Sequence, residues 1–148
     1  ELGDRFYGGF SQSSYTFKHY KDALLDDNSV SRKGNYMKIL RKHPICIATT
    51  GLHNSIGWKF AEYVAFSKAI VSEKLYFSVP GNLEAGKNYL EFNNTEECVK
   101  QTLKLFEDKT AREQMMQDNY EYYEKYVSPD KIILRTLEIA LQPERVKV

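Results

Sequence analysis

Short apolar runs alternate with amphipathic segments along most of the chain. The clearest run, Ile45–Thr49, is almost continuously apolar, and Ala69–Ser72 and Tyr89–Phe92 are similar. Continuous apolar runs of this length are typical of strands that are covered on both faces, as in a parallel sheet. The pattern therefore predicts parallel strands with helices between them.

The segments between and after these runs carry apolar residues at helical spacing. Helices are predicted over Tyr15–Leu25, from Ser31 as N-cap to Lys42, and over Trp58–Phe66, Thr95–Phe106, Thr110–Tyr126 and Pro129–Leu141. Asn94 or Thr95 can cap the fourth of these helices. In the last helix Ile133, Leu137 and Ala140 share one face, with Ile132 beside them.

The first residues differ from the rest of the chain. Phe6–Phe10 suggests a short strand that leads into a turn rich in serine over residues 11–14. The whole pattern favours one α/β domain with a Rossmann-like α/β/α arrangement over residues 1–142. Residues 143–148 are expected to form a frayed tail.

Composition narrows the classes of function. The chain has 148 residues and a net charge of +1, so a general attraction to nucleic acid is not expected. No apolar run approaches the roughly 20 residues that cross a bilayer. Neither Cys46 nor Cys98 belongs to a CxxC pair or to a cluster with metal-ligand spacing, so we interpret both as small buried apolar residues in a reducing compartment. Neither a metal nor a cofactor is predicted, and a cytoplasmic location is expected, with the inner membrane face as an alternative.

The loop between the first apolar run and the Trp58 helix is the best candidate for chemistry. Open α/β sheets bind ligands where the strands end, and a helix N-terminus offers free amides and partial positive charge to an anion. Gly57 precedes that helix, Lys59 adds a cation in its first turn, and Glu62 follows one turn later. These residues suit a nucleoside diphosphate, with Glu62 accepting hydrogen bonds from ribose hydroxyls.

Three loop residues complete the candidate donor site, namely His53, Asn54 and Ser55. Each has an alternative interpretation, because most joins of strand, glycine loop and helix bind nothing. The glycines then only form a tight turn, and Lys59 and Glu62 form an ordinary pair at i, i+3.

The order of motifs from about Tyr36 to Leu141 resembles the C-terminal, nucleotide-sugar-binding domain of GT-B glycosyltransferases of group 1. The residues that carry the resemblance are Tyr36–Leu40 before Ile45–Ile47, Gly57–Glu62, Ser67–Val71, Gly86–Phe92, Asn94–Glu97, Asp108–Arg112 and the tyrosine-rich helix after them. The branch that it most resembles assembles bacterial surface polysaccharides.

The resemblance implies one half of a GT-B fold and a donor site on this half. A helical glutamate binds the donor ribose in that family, and Glu62 stands at its position. Many members carry a second glutamate eight positions earlier, where this chain has Asn54. The expected activity is sugar transfer from a nucleotide-diphosphate sugar to a hydroxyl of a glycan or lipid-linked acceptor. We expect it to require a further N-terminal domain as partner, so that this chain alone is inactive.

Two alternatives stay open at this point. Glu73-Lys74 before a loop that contains proline resembles the fucosyltransferase-like branch of the same fold. A noncatalytic α/β module that binds a partner protein is the alternative from another class, and in that case Glu62 and Lys59 have no ligand.

Overall fold

A computed structural model describes residues 2–142. The chain divides into two compact units, one ending at His43 and the other beginning at Pro44. The prediction of one domain over residues 1–142 stays a prediction, and the tail expected at 143–148 lies outside the described residues.

The first unit contains two helices joined by 3₁₀ turns. The helices are α1, Ser14–His19, and α2, Lys33–Lys42, and the turns are Gly3–Arg5, Lys21–Ala23 and Asn28–Ser31. The predicted strand Phe6–Phe10 is wrong. Phe10 makes one isolated bridge with Leu24, and the residues before it pair with no strand among those described. Two adjacent glycines, which have no side chain to pack, weaken strand formation at this position.

The predicted bounds of the first two helices also shift. Ser13 begins α1 with a capping box that includes Thr16, but the helix ends at Tyr20, whose φ of −141° is not helical. Leu25 then donates its amide to Phe10 O at 2.9 Å, which prevents the helix from continuing. Ser31 is not the N-cap of α2, because it belongs to the preceding 3₁₀ turn.

The second unit is a mixed α/β structure built on a parallel sheet. Its three strands, β1 (Ile45–Ala48), β2 (Ala69–Glu73) and β3 (Leu90–Phe92), lie in the order β1-β2-β3. In register, Ile47 pairs with Val71, and Val71 pairs with Leu90. All three strands were predicted within one residue of their bounds, and the parallel pairing is confirmed.

Both faces of the central strand are buried. Ala69 and Val71 point to one face, where they pack with Leu105 and Met115 in the main apolar cluster. Ile70, on the other face, is also completely buried. This double burial is the physical reason why the apolar run is continuous rather than alternating.

The helices of this unit follow the predicted order. They are α3 (Trp58–Ala65), α4 (Thr95–Glu107), α5 (Lys109–Tyr122) and α6 (Pro129–Leu141), with a π turn at Tyr123–Val127 before α6. Asn94 caps α4 by accepting from the Glu97 amide at 2.8 Å, as expected. Every described residue of α6 is exposed, including the face that Ile133, Leu137 and Ala140 share.

A buried amide network joins α5 to the start of β2 and to the residue before Tyr89. Asn119 is 0% exposed, and its Nδ2 donates to Lys68 O at 2.7 Å and to Asn88 O at 2.8 Å. Asn88 returns a bond from its Nδ2 to Asn119 Oδ1 at 3.0 Å and accepts from the Glu84 amide. Asparagine side chains thus satisfy backbone groups at a place where the sheet offers them no partner.

Replacing Asn119 with alanine should destabilise the chain strongly. The Asn119→Ala variant leaves two buried carbonyls and the Asn88 amide unpaired, so the free energy of unfolding should fall by about 3 kcal/mol. Urea unfolding followed by circular dichroism measures the loss. Gln117→Ala, on the exposed side of the same helix, is the control and should change stability by less than about 0.5 kcal/mol. Equal losses in the two variants would contradict the assignment.

Candidate functional site

The carboxyl ends of the three strands share one edge of the sheet. Thr49 follows β1 there and opens the loop to Gly57, Glu73 ends β2, and Asn93 follows β3. Parallel α/β sheets bind their ligands at this edge. All of the residues predicted for the donor site lie in the β1–α3 loop or in α3, at or near this edge.

The β1–α3 loop, Thr49–Gly57, closes on itself through backbone hydrogen bonds. Gly51 donates its amide to Ser55 O at 2.8 Å, and Ser55 donates to Leu52 O at 3.2 Å. His53 and Asn54 both adopt the left-handed conformation, with φ of 57° and 58°. Asparagine and histidine are both enriched in this region among the residues other than glycine. The side chains of His53, Asn54 and Ser55 are exposed on this compact turn.

Neither glycine of this loop has a backbone conformation that favours glycine. Gly51 has a φ of −90°, and a Cβ atom there would lie 2.6 Å from Ser55 Oγ, the end of an exposed side chain that can turn to another rotamer. Gly57 has a φ of −70°, and a Cβ atom there would lie at an ordinary 3.6 Å from Thr49 O. Gly57 therefore contributes its place before α3 and not conformational freedom.

Helix α3 begins at this loop without a side-chain cap. Phe60 donates to Gly57 O at 3.0 Å, whereas the amides of Trp58 and Lys59 make no hydrogen bond within residues 2–142. Lys59 is exposed, and Glu62 is half-buried one turn further along. Free amides, partial positive charge and a mobile cation at one helix end suit a diphosphate group.

Glu73 is a site residue that the sequence interpretation noted only as a branch marker. One of its carboxylate oxygens, Oε2, accepts from the Thr50 amide at 2.6 Å and from Thr50 Oγ1 at 2.7 Å. The other oxygen has no hydrogen-bond partner within the described residues. The half-buried carboxylate is thus held by Thr50, two residues after β1. Its other oxygen is able to accept a hydrogen bond from a ligand hydroxyl.

The Glu73 charge also acts on a nearby thiol. Burial raises the pKa of Cys98, a hydrogen bond with Thr102 opposes that rise, and Glu73 adds to it. Cys46, in β1, is buried more deeply, which raises its pKa to about 12 although Lys68 opposes the rise. Both cysteines are free thiols, and Cys46 is buried as predicted, whereas Cys98 is only half-buried.

Trp58 is a second residue whose place was not foreseen. It is the chain's single tryptophan, and it is 88% exposed at the first position of α3. An exposed indole beside free amides offers a flat apolar surface on which a ring can stack. Its signal in the sequence was its place just after Gly57, but the helical pattern alone does not say which way it points.

The segment after Glu73 is tied to the end of α5. Tyr122 donates its hydroxyl to Pro80 O at 2.7 Å, and burial raises the pKa of Tyr122 to about 12. Gly81, at φ of 77°, lies over the Tyr126 ring so closely that a Cβ atom would meet its Cγ at 2.3 Å. Two tyrosines that the sequence left as general packing residues therefore fix the Pro80–Gly81 turn.

No family model matches the sequence, and neither a curated protein nor a solved structure matches it. Within residues 2–142, no group of three or more His, Cys, Asp or Glu side chains is arranged to hold a metal ion. Over the same residues, no helix has both the length and the apolar character that a membrane crossing requires.

The bond between Thr50 and Glu73 should be measurable as a coupling energy. Thr50→Val keeps the side-chain shape but removes the Oγ1 donor, so the free energy of unfolding should fall by about 1–2 kcal/mol. In a Glu73→Gln background the same change should cost about 1 kcal/mol less, as a double-mutant cycle by urea unfolding would measure. Thr49→Val, at the exposed neighbour, should have little effect. A cycle with no coupling, or equal losses at both threonines, would sink this assignment.

Proposed function

We propose that the second unit is the Rossmann-like, donor-binding half of a GT-B glycosyltransferase. The observation that carries the proposal is the set of groups at the carboxyl edge of the sheet. Free helix amides and Lys59 meet Glu62, Glu73 and the exposed Trp58 in elements that begin or end at that edge. A nucleotide-diphosphate sugar has chemistry to match each of these groups.

The diphosphate of the donor is assigned to the start of α3. Its charge is matched by the amides of Trp58 and Lys59, by the helix dipole and by the Lys59 ammonium. Ser55 and Gly57 belong to the backbone segment that leads directly into α3. The side chains of His53 and Asn54 are exposed on the turn just before that segment. These contacts would strengthen as the diphosphate takes up charge on leaving the sugar.

The two carboxylates are assigned to hydroxyl groups of the donor. Glu62, one turn into α3, accepts hydrogen bonds from the ribose, as the resemblance to the GT-B family implies. Glu73 presents one open oxygen at the end of β2, where it can accept from a hydroxyl of the transferred sugar. Trp58 supplies a stacking surface for the base or the sugar ring. The fucosyltransferase-like branch of the same fold is the alternative for the type of transferase, because Glu73-Lys74 precedes the turn that contains Pro80.

The reaction in this proposal is a substitution at the anomeric carbon of the donor. The bond from that carbon to the diphosphate oxygen breaks, and a bond to the acceptor hydroxyl oxygen forms. The hydroxyl proton passes to a general base, which a further N-terminal domain would supply together with the site for a glycan or lipid-linked acceptor. The chain alone should therefore bind nucleotide weakly and turn over nothing. We propose a cytoplasmic location, with the inner membrane face as the alternative.

A noncatalytic interaction module is the second candidate, and one observation favours it. Helix α6 leaves its large apolar side chains exposed. Under that alternative the groups at the strand ends bind no nucleotide, so substitutions there change no affinity.

Nucleotide binding can be followed through the single tryptophan, because Trp58 lies at the proposed site. Titration with UDP, GDP and CDP should change its fluorescence for one base, with a Kd of about 0.1–1 mM. Glu62→Ala should weaken that binding about tenfold or more, the cost of losing a charged acceptor. Lys59→Ala should weaken it by a smaller factor that shrinks as salt is added. Calorimetry on the same samples provides the affinities.

Glu107→Ala is the matched control for this titration. Helix α4 leaves the carboxyl edge after β3 and rises about 20 Å over its length, so its last residue lies far from the proposed site. The control variant should bind like the unchanged chain. Equal weakening in Glu62→Ala and Glu107→Ala, or no binding of any of the three nucleotides, would argue against the donor-site proposal.

A further inference from the structure

Helix α6 presents an apolar face that no described element covers. Its main packing partner is the π turn just before it, and all of its described residues are exposed. The most exposed large apolar residues are Leu141 at 77%, Ile133 at 60%, Leu134 at 53% and Leu137 at 52%. Monomeric proteins rarely leave such a continuous apolar surface in water.

These residues form one seam along the helix. Leu134, Leu137 and Leu141 are spaced three and four apart, and Ile133 lies one turn before Leu137. Ile132 and Ile139, seven residues apart on another side of the helix, are less exposed at 45% and 40%. The face that is open to solvent is therefore the leucine seam, which corresponds to the a and d positions of a heptad.

The charges beside the seam indicate what covers it. Lys131 and Glu138 are seven residues apart and flank the same side of the seam, at equivalent heptad positions. In an antiparallel pair of α6 helices, Leu134 of each copy lies opposite Leu137 of the other. That register also sets Lys131 of each copy opposite Glu138 of the other. The helix is thus complementary to itself in charge when it meets a second copy in the opposite direction.

We propose that α6 is an antiparallel homodimer interface, with the leucine seam at its centre and two Lys131–Glu138 ion pairs at its side. Four such side chains expose on the order of 400 Å² of apolar surface in each copy, which is half of what a standard interface needs from one partner. The dimer is therefore weak, with a Kd of about 10–100 µM. The net charge of the whole helix is zero, because Asp130 and Glu138 balance Lys131 and Arg135, which disfavours an anionic lipid surface as the occupant.

Charge reversal on this helix tests both the partner and its direction. Sedimentation equilibrium from about 10 µM to about 1 mM should show the mass rise from 17.2 kDa toward twice that value. Lys131→Glu or Glu138→Lys alone turns both of the symmetric ion pairs into pairs of like charges. Either variant should therefore weaken the dimer about tenfold. The double variant, Lys131→Glu with Glu138→Lys, should restore the original affinity. Each reversal suits the helix dipole at its own end, although Lys131→Glu also removes the ion pair that Lys131 makes with Asp130 of its own helix at 3.4 Å.

Thr136→Glu is the control, because that exposed position lies away from the seam. It should leave the dimer unchanged, and circular dichroism should show equal helix content in all variants. A chain that stays monomeric at every concentration would overturn the proposal. So would a double variant that does not recover, or a control that weakens the dimer as much as the single reversals. These outcomes are independent of nucleotide binding.

Discussion

The second unit depends on one buried amide. The side chain of Asn119 spans from α5 to the carbonyls of Lys68 and Asn88, one residue before β2 and two residues before β3. It therefore holds the two strands and the helix in one arrangement at the amino edge of the sheet. Each of its donors is used, and the site excludes water, so the network is worth more than exposed hydrogen bonds. Because the strands are held at one edge by Asn119, the distances between their carboxyl ends at the opposite edge also depend on this side chain.

Much of this unit follows from local rules, and the misses have physical causes. The continuous apolar run of β1 requires two covered faces, and the Asn94 cap needs only its own helix, so both were predictable. Glu73 became a site residue through Thr50, which is distant in sequence and adjacent only once β1 and β2 pair. The exposure of α6 could not be predicted, because a helical period identifies an apolar side without saying whether anything covers it.

The two proposals concern different surfaces and different physics. The donor site combines polar and charged groups at the strand ends, where a helix end and two carboxylates suit a nucleotide sugar. The α6 face is apolar, with a narrow charged flank that selects direction.

Mapping of the backbone amides by nuclear magnetic resonance tests the donor site most directly. A ¹⁵N-labelled chain would be titrated with UDP, GDP and CDP to about 1 mM. The chain concentration would be about 10 µM, so that most of the protein is monomeric under the proposed dimer Kd. The account predicts shifts at Thr50–Lys59 and at Glu73, with Lys68, Asn88 and Asn119 unchanged. Shifts confined to the amino edge of the sheet, or none with any of the three nucleotides, would contradict it.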